Sequence, residues 1–232
     1  MSSSKIVIVG CGVIGAAIAY ELSLVSNLEV TVLEAQSQVG QGSTKSALGV
    51  MMAACSITTN NNVALTTLRL ASLRRYEILV PELELITGIN IPYNRQGIFM
   101  LINNLEGDLE SKWKGLITLR RSQGFRMEWI DRSSLRSQYP QFQAEVALHS
   151  FDDRAINPHI LVRALVTAAK LNGVIFRCDR PVCNLTELEK LAPDWVILTA
   201  GLGSSPLIQQ VIKSKSKPEV LFPVGGQAIE VY

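Results

Sequence analysis

The sequence offers almost nothing that binds a metal. Its 232 residues include two histidines, His149 and His159, and four cysteines, Cys11, Cys55, Cys178 and Cys183. No C-x-x-C pair occurs and no His/Cys/carboxylate cluster has ligand spacing, so no metal site is expected. Cys11 lies inside a glycine-rich turn, where a disulfide would obstruct whatever the turn binds. Reduced, apolar-packing thiols in a cytoplasmic protein are the expectation. Strong charge of one sign is missing as well. The 22 Lys and Arg nearly balance the 20 Asp and Glu, for a net charge of +2. There is no basic stripe and no acidic tail, which removes the electrostatic footprint of a nucleic-acid binder. No run reaches the roughly 18 apolar residues of a bilayer-spanning helix. The opening Met1-Ser2-Ser3-Ser4-Lys5 is not a charged region before a long apolar one, so neither a membrane span nor a signal peptide is expected. No repeat or low-complexity linker divides the chain, which makes any second domain interleaved rather than appended.

What is present is a chain with 47% hydrophobic and 18% charged residues, ample for a buried core. Its first 35 residues read as a βαβ unit: a β-branched run at Lys5 to Val9, a helix from Val13 to about Ser26, and a strand from Leu28 to Glu34. The stretch "QSQVGQGSTKSALGVMMAACS" has no period and is long enough to be functional. From Asn62 to Thr87 the pattern is helical, with Leu65, Leu68, Tyr76 and Leu79 on one seam, and Pro81 is expected to end one helix and open the next. Extended segments follow in "GINIPYNRQGIFMLI". An amphipathic helix over Asp108 to Ser122 groups Leu109, Trp113 and Leu116, with Gly124 as its C′ residue. "FRMEWI" alternates like a half-buried strand, and "DRSSLRSQYP" reads as a short helix or turn. Asn157-Pro158 is a strong helix start, an N-cap before proline at N1, with Leu161, Ala164, Leu165 and Ala168 inward and Gly173 as the stop. Val174 to Phe176 is the next strand, and "DWVILTAGLGS" reads as a buried strand entering a glycine turn.

Gly10-Cys11-Gly12-Val13-Ile14-Gly15 fits G-x-G-x-x-G. Gly10 permits the tight turn off the strand, Gly12 lets a diphosphate approach the backbone, and Gly15 lets helix and strand pack closely. The helix start then turns unpaired N–H groups and a positive dipole end toward the phosphates. The motif is weak alone, but here it follows a strand, opens a helix, and is trailed by "VTVLEA". Glu34, 19 residues after Gly15, stands where an acid accepts hydrogen bonds from an adenosine ribose, and its charge disfavours the 2′-phosphate of NADP. The loop does not separate NAD from FAD, which share the adenosine diphosphate half. A nicotinamide dehydrogenase usually continues with regular strand–helix alternation. This chain continues with "GQGSTKSALGVMMA", whose small residues let the backbone pass close to a flat ring and whose Ser43 and Thr44 hydroxyls can bond diphosphate or ring oxygens. FAD is therefore favoured over NAD.

The set "IVIVGCGVIGAAIAYEL", "VTVLEA" and "GSTKSALGVM", followed in order by "GIFML", "DDRAINPHILVRALVTAAKLNGV", "RPV", "VILTAGLGS" and "FPVGGQ", resembles the flavin-dependent amine oxidases of the D-amino-acid oxidase superfamily. Within it, the resemblance is strongest to the bacterial glycine oxidases of thiamine biosynthesis, and it covers nearly the whole chain. It implies an α/β fold. A Rossmann-type FAD-binding domain, residues 1–87 and 151–215, is interleaved with an incomplete α+β substrate domain, residues 88–150 and 216–232. It also implies that Gly10, Gly12, Val13, Ile14 and Gly15 hold the diphosphate of FAD, and that Glu34 and Ala35 meet the adenosine. Ser43, Thr44, Ala47, Leu48 and Gly49 would line the ribityl chain and isoalloxazine. Val182 would contact the adenine side through its backbone, and Ala200 and Gly201 would close over the diphosphate. The chain departs from the family at Gly203, where an aromatic residue is common, and at Lys45 and Val50.

The implied reaction is oxidation of a small amine or amino acid, with dioxygen as acceptor. The carboxylate of such a substrate wants an arginine fork. In this family that arginine lies in the carboxy-terminal third, which the resemblance implies is missing here. Arg95, Arg154 and Arg163 are expected to be solvated, and no catalytic residue is assigned. A homo-oligomer or a complementing chain is the partner expectation, beside the small-molecule substrate.

Overall fold

The computed structural model describes residues 3–55, 63–105, 107–211 and 221. The strand expected in "PVGGQAIEVY" lies outside them. In chain order the elements are β1 (Ser4–Val9), α1 (Val13–Ser23), β2 (Leu28–Leu33), β3 (Val50–Met51), α2 (Val63–Thr87), β4 (Tyr93–Asn94), β5 (Ile98–Ile102) and α3 (Leu109–Ser122). They continue with β6 (Met127–Ile130), α4 (Arg132–Gln138), β7 (Val146–Ser150), β8 (Arg154–Ile156), α5 (Pro158–Leu171), β9 (Ile175–Arg177), β10 (Trp195–Leu198) and α6 (Ser204–Gln209). The chain divides into two compact units. One holds Met1–Leu48, Leu83–Ile91 and Asn157–Tyr232, and the other Gly49–Glu82 and Pro92–Ile156.

The first unit is built on a parallel sheet in the order β10-β1-β2-β9. Ile6 to Val9 face Trp195 to Leu198 on one side, and Ser4 to Val9 face Leu28 to Leu33 on the other. Helices α1 and α5 pack on each other. Buried Ala16 and Ala19 on α1, with Ala164, Ala168 and Ala169 on α5, present the small side chains that close helix packing needs. Asn157 caps α5 as expected, its Oδ1 accepting the Ile160 N–H at 3.0 Å, and Gly173 beyond its end has φ +93°. A separate apolar cluster gathers Val7, Val9 and Leu33 with Leu188 of a short 3-10 turn (Leu185–Leu191) and Leu207 of α6. β10 is not the buried strand that its composition suggests. Among the described residues it stands at the edge of this sheet, and Trp195 is 68% exposed. α1 also stops at Ser23, three residues early, where the Leu24 and Val25 N–H groups turn to the carbonyls three residues back, Glu21 and Leu22.

The second unit holds two antiparallel three-stranded sheets, β3-β8-β4 and β5-β7-β6. β7 is buried along its whole length, so it lacks the alternation that marks a half-exposed strand and was not legible as one. Its Val146 and Leu148 pack with Ile102, Trp113, Ile117, Phe125 and Met127. Gly124 closes α3 with φ +88°, as expected. Asp153, fully buried, gathers three consecutive backbone N–H groups. Its Oδ1 accepts from Ala53 and Ala54 and its Oδ2 from Cys55, each at 2.8 Å. Buried Arg120 donates from Nε to the Ala54 carbonyl at 3.1 Å. Arg154 is not a solvated side chain: it is 12% exposed, and its Nε donates to Glu77 at 2.6 Å. Tyr93 and Arg95 donate to the same carboxylate. Burial pushes the Glu77 carboxyl upward, but its bonds from Arg154, Arg95 and Tyr93 outweigh that and hold it below its ordinary pKa.

Pro81 does not split the helix of residues 63–87. α2 is continuous through it. An interior proline costs about 3 kcal/mol, and burial of Leu79, Val80 and Leu83 beside it outweighs that. Among the described side chains of α2 the buried positions are these and Leu73, whereas Leu65 and Leu68, expected on the inward seam, are exposed.

His149 on β7 is sandwiched between Phe99, with ring centroids 4.0 Å apart, and Phe151, at 3.9 Å. Its Nε2–H donates to the Gln96 carbonyl at 3.3 Å, and its buried Nδ1 has no partner among the described residues. Burial holds this imidazole below its ordinary pKa of 6.5, against weaker opposing pulls from the Gln96 carbonyl and Glu128. The unfolded chain therefore binds a proton that the folded chain refuses as pH falls below 6.5. The contribution of His149 to stability is full above that pH and declines as pH drops toward the folded value. Urea unfolding between pH 7.5 and 5.0 should show the midpoint falling for the native chain and a shallower fall for His149→Phe. Equal slopes would contradict the assignment.

Candidate functional site

The carboxy ends of β1 and β2 and the start of α1 meet at the glycine loop. The chain leaves β1 through Gly10, whose φ of +101° places its N–H on the Leu33 carbonyl at 2.8 Å. A Cβ at Gly10 would lie 2.6 Å from the Thr199 carbonyl oxygen, so glycine is required for space as well as for conformation. A Cβ at Gly15 would lie 2.1 Å from the Gly10 carbonyl oxygen and 2.7 Å from the Thr199 Oγ1. This is the close helix–strand approach assigned to the third glycine from the motif alone.

Glu34 follows β2 directly. Its Oε2 accepts the Cys11 N–H at 2.7 Å and its Oε1 the Gln36 N–H at 2.9 Å. A carboxylate offers about four acceptor positions, so two remain for hydroxyl donors. Buried Thr44 turns its Oγ1 to the start of α1, accepting the Val13 N–H at 3.0 Å, and that oxygen would be 3.2 Å from a Cβ on Gly12. Gly12, the N-cap residue, has no side chain of its own to cap the helix, and Ile14 is 64% exposed. Burial pushes the Cys11 thiol up to about 12, with the Glu34 carboxylate adding to the effect, so this side chain stays neutral beside the loop.

Hydrogen bonds or packing within the first unit thus join Gly10, Gly12, Val13, Gly15, Glu34 and Thr44. Val182 and Ala200 both pack against the Val7, Val9 and Leu33 cluster. Ala35, Ser43, Ala47, Leu48 and Gly201 are exposed. Gly49 falls in the second unit, where its carbonyl accepts the Ile156 N–H at 2.9 Å. Gly203 has room for a side chain, the nearest atom to a Cβ there being Ala200 Cβ at 3.6 Å. At the end of β2 a cavity of about 500 Å³ is lined by apolar Leu33, Val182, Leu188 and Leu191 and by charges of both signs, Arg177, Arg180 and Lys190 with Asp179 and Glu187. Sequence reasoning missed Thr199, whose only signal is a hydroxyl residue at a strand end directly before Ala-Gly. It also missed Arg177, Arg180 and Lys190 of the cavity, which are interspersed with Asp179 and Glu187 and so form no basic run.

A family model described as FAD dependent oxidoreductase matches residues 5–232. The chain belongs to the FAD-dependent oxidoreductase family. Glycine oxidase of Bacillus subtilis (strain 168) is 24% identical over 239 residues, covering 97% of this chain and 60% of that protein. Glycine oxidase of Geobacillus kaustophilus (strain HTA426) is 29% identical, with 97% and 61% covered. The crystal structure of glycine oxidase from Geobacillus kaustophilus superposes with a TM-score of 0.78 at 23% identity, covering 90% of this chain and 59% of that one. The chain therefore shares the mixed α/β fold of these oxidases and spans about 60% of the length of the curated relatives it matches. FAD is the cofactor of the family, which decides between the two dinucleotides that the glycine loop admits.

The residues present fit that cofactor. The loop accepts no Cβ at two of its glycines, the Thr44 hydroxyl takes the Val13 N–H at the helix start, and the acid at the end of β2 keeps acceptor capacity. Among the described residues no helix is long and apolar enough to cross a membrane, and no His/Cys/Asp/Glu group could hold a metal. Gly15→Ala should destabilise the chain by more than the usual 1–3 kcal/mol of overpacking, because its neighbour is backbone. Gly42→Ala, with nothing within 4 Å of the added Cβ, should be close to neutral. Urea unfolding of the two variants checks this, and equal midpoints would overturn the close-approach geometry.

Proposed function

We infer that the first unit holds FAD, and that the activity of the protein is oxidation of a small amino acid or amine, glycine-oxidase-like, with dioxygen as acceptor. The observation that carries the reading is Glu34, held at the end of β2 by two backbone N–H groups with acceptor positions left for a ribose. Gly10, Gly12, Val13, Ile14 and Gly15 take the diphosphate, with the dipole of α1 behind it. Glu34 and Ala35 meet the adenosine, and the Val182 backbone borders the adenine. Ser43, Thr44, Ala47 and Leu48 line the ribityl chain and ring, and Ala200 and Gly201 close over the diphosphate. FAD, when bound, supplies the two-electron acceptance that side chains lack. The role of this chain is to orient the cofactor and exclude water from it. Relatives named as glycine oxidases, matched over 97% of this chain, support the substrate class.

A second reading is a flavoprotein without turnover of its own. Under both readings the proposed location is the cytoplasm.

The test is to incubate the purified chain with FAD, desalt it, and add glycine, sarcosine or D-alanine in air. Retained flavin absorption bands with peroxide release are the expected result. Bands without peroxide favour the second reading, and a colourless chain contradicts both.

A further inference from the structure

Thr199, just beyond β10, makes contacts that neither the glycine motif nor the family match assigns. Its N–H donates to the Val9 carbonyl at 2.8 Å, continuing the β1–β10 pairing past the end of the strand. Its hydroxyl oxygen lies 2.8 Å from the Gly10 carbonyl oxygen and 3.1 Å from that of Val9. A hydroxyl has one proton to give. The Val9 oxygen already receives the Thr199 N–H, so the shorter contact, to Gly10, is the bond the hydroxyl makes.

That bond reaches one end of a single peptide plane. The Gly10 carbonyl and the Cys11 N–H belong to the same rigid amide, and the Cys11 N–H donates to Glu34 Oε2 at 2.7 Å. The plane is therefore held at its oxygen by Thr199 and at its N–H by Glu34. Gly10 has φ +101°, and a glycine is free to rotate an adjoining peptide at little steric cost. Gly15 packs onto the same point, since a Cβ there would strike both the Gly10 oxygen and the Thr199 Oγ1. Without the hydroxyl, the Gly10 oxygen loses its donor, and the amide that aims the loop toward α1 and steadies the Glu34 carboxylate loses one of its two ties.

We propose that Thr199 is a positioning residue for the dinucleotide: its hydroxyl fixes the Gly10–Cys11 peptide and, through it, the Glu34 carboxylate that meets the adenosine ribose. This rests on the reading that the first unit holds FAD. It makes Thr199 and Glu34 energetically coupled although their side chains lie on different strands' ends and bind opposite ends of one amide.

The test measures FAD dissociation constants by flavin fluorescence for the full chain, Thr199→Val, Thr199→Ser, Glu34→Gln and the double variant Thr199→Val/Glu34→Gln. If loss of this tie leaves the peptide in its competent orientation about one tenth of the time, FAD binds about tenfold more weakly to Thr199→Val, with Thr199→Ser close to the native chain. In the Glu34→Gln background the same valine substitution should cost less than about threefold, because the coupling partner is already altered. A purely structural role would cost the same factor in both backgrounds. Thr199→Ala stands in if the valine variant does not fold. Native-like binding by the hydroxyl-less variants, or equal cost in both backgrounds, overturns the inference while leaving FAD binding intact. A native chain that takes up no FAD overturns the functional reading and the inference together.

Discussion

The geometry of the first unit depends on one amide. The Gly10–Cys11 peptide stands where β1 ends and the loop to α1 begins, and Glu34 takes its N–H at 2.7 Å. Gly10 could not be there with a side chain, since a Cβ would meet the Thr199 backbone at 2.6 Å. Gly15 could not follow with one either, since its Cβ would meet the Gly10 oxygen at 2.1 Å. The carboxy ends of the parallel strands β2, β1 and β10 lie side by side at this point. The helix start beyond it keeps its dipole exposed toward the position an anion would occupy.

The second unit solves a similar problem with a buried acid. Asp153 gathers the N–H groups of Ala53, Ala54 and Cys55, and Arg120 takes the Ala54 carbonyl between them. A segment without regular structure is thereby satisfied in the interior, where unpaired amides would each cost about 1–3 kcal/mol. In both units a carboxylate stands in for a missing strand or helix partner. In the first it retains capacity for a ligand, and in the second it is enclosed and spent on the backbone.

How much of this was legible in the sequence follows from the range of the forces involved. Local signals read correctly: the Asn157 cap, the Gly124 and Gly173 stops, the βαβ start and the amphipathic α3 are set by residues within a few positions of one another. Glu34 was legible because its distance from the glycines is fixed by helix and strand lengths. Long-range facts were not. β7 is buried on both faces and carries no period, and β10 looks buried in composition but exposes Trp195 and Val196. Pro81 reads as a breaker and is overruled by the burial of its neighbours Val80 and Leu83. Arg154 looked like a surface cation because nothing near it in sequence announces Glu77. Thr199 is separated from Gly10 by nearly the whole chain, and only the parallel pairing of β1 with β10 brings its hydroxyl to the loop.

In the proposed reading the loop, the α1 terminus and Glu34 all address the adenosine diphosphate half of FAD. The most direct measurement is a fluorescence titration of the purified chain with FAD and, separately, with FMN, which has the same ring and no adenosine. FAD should bind about 100-fold more tightly, the worth of roughly two charge-assisted hydrogen bonds. Equal affinity for the two flavins would contradict the assignment of this loop and of Glu34 to the cofactor.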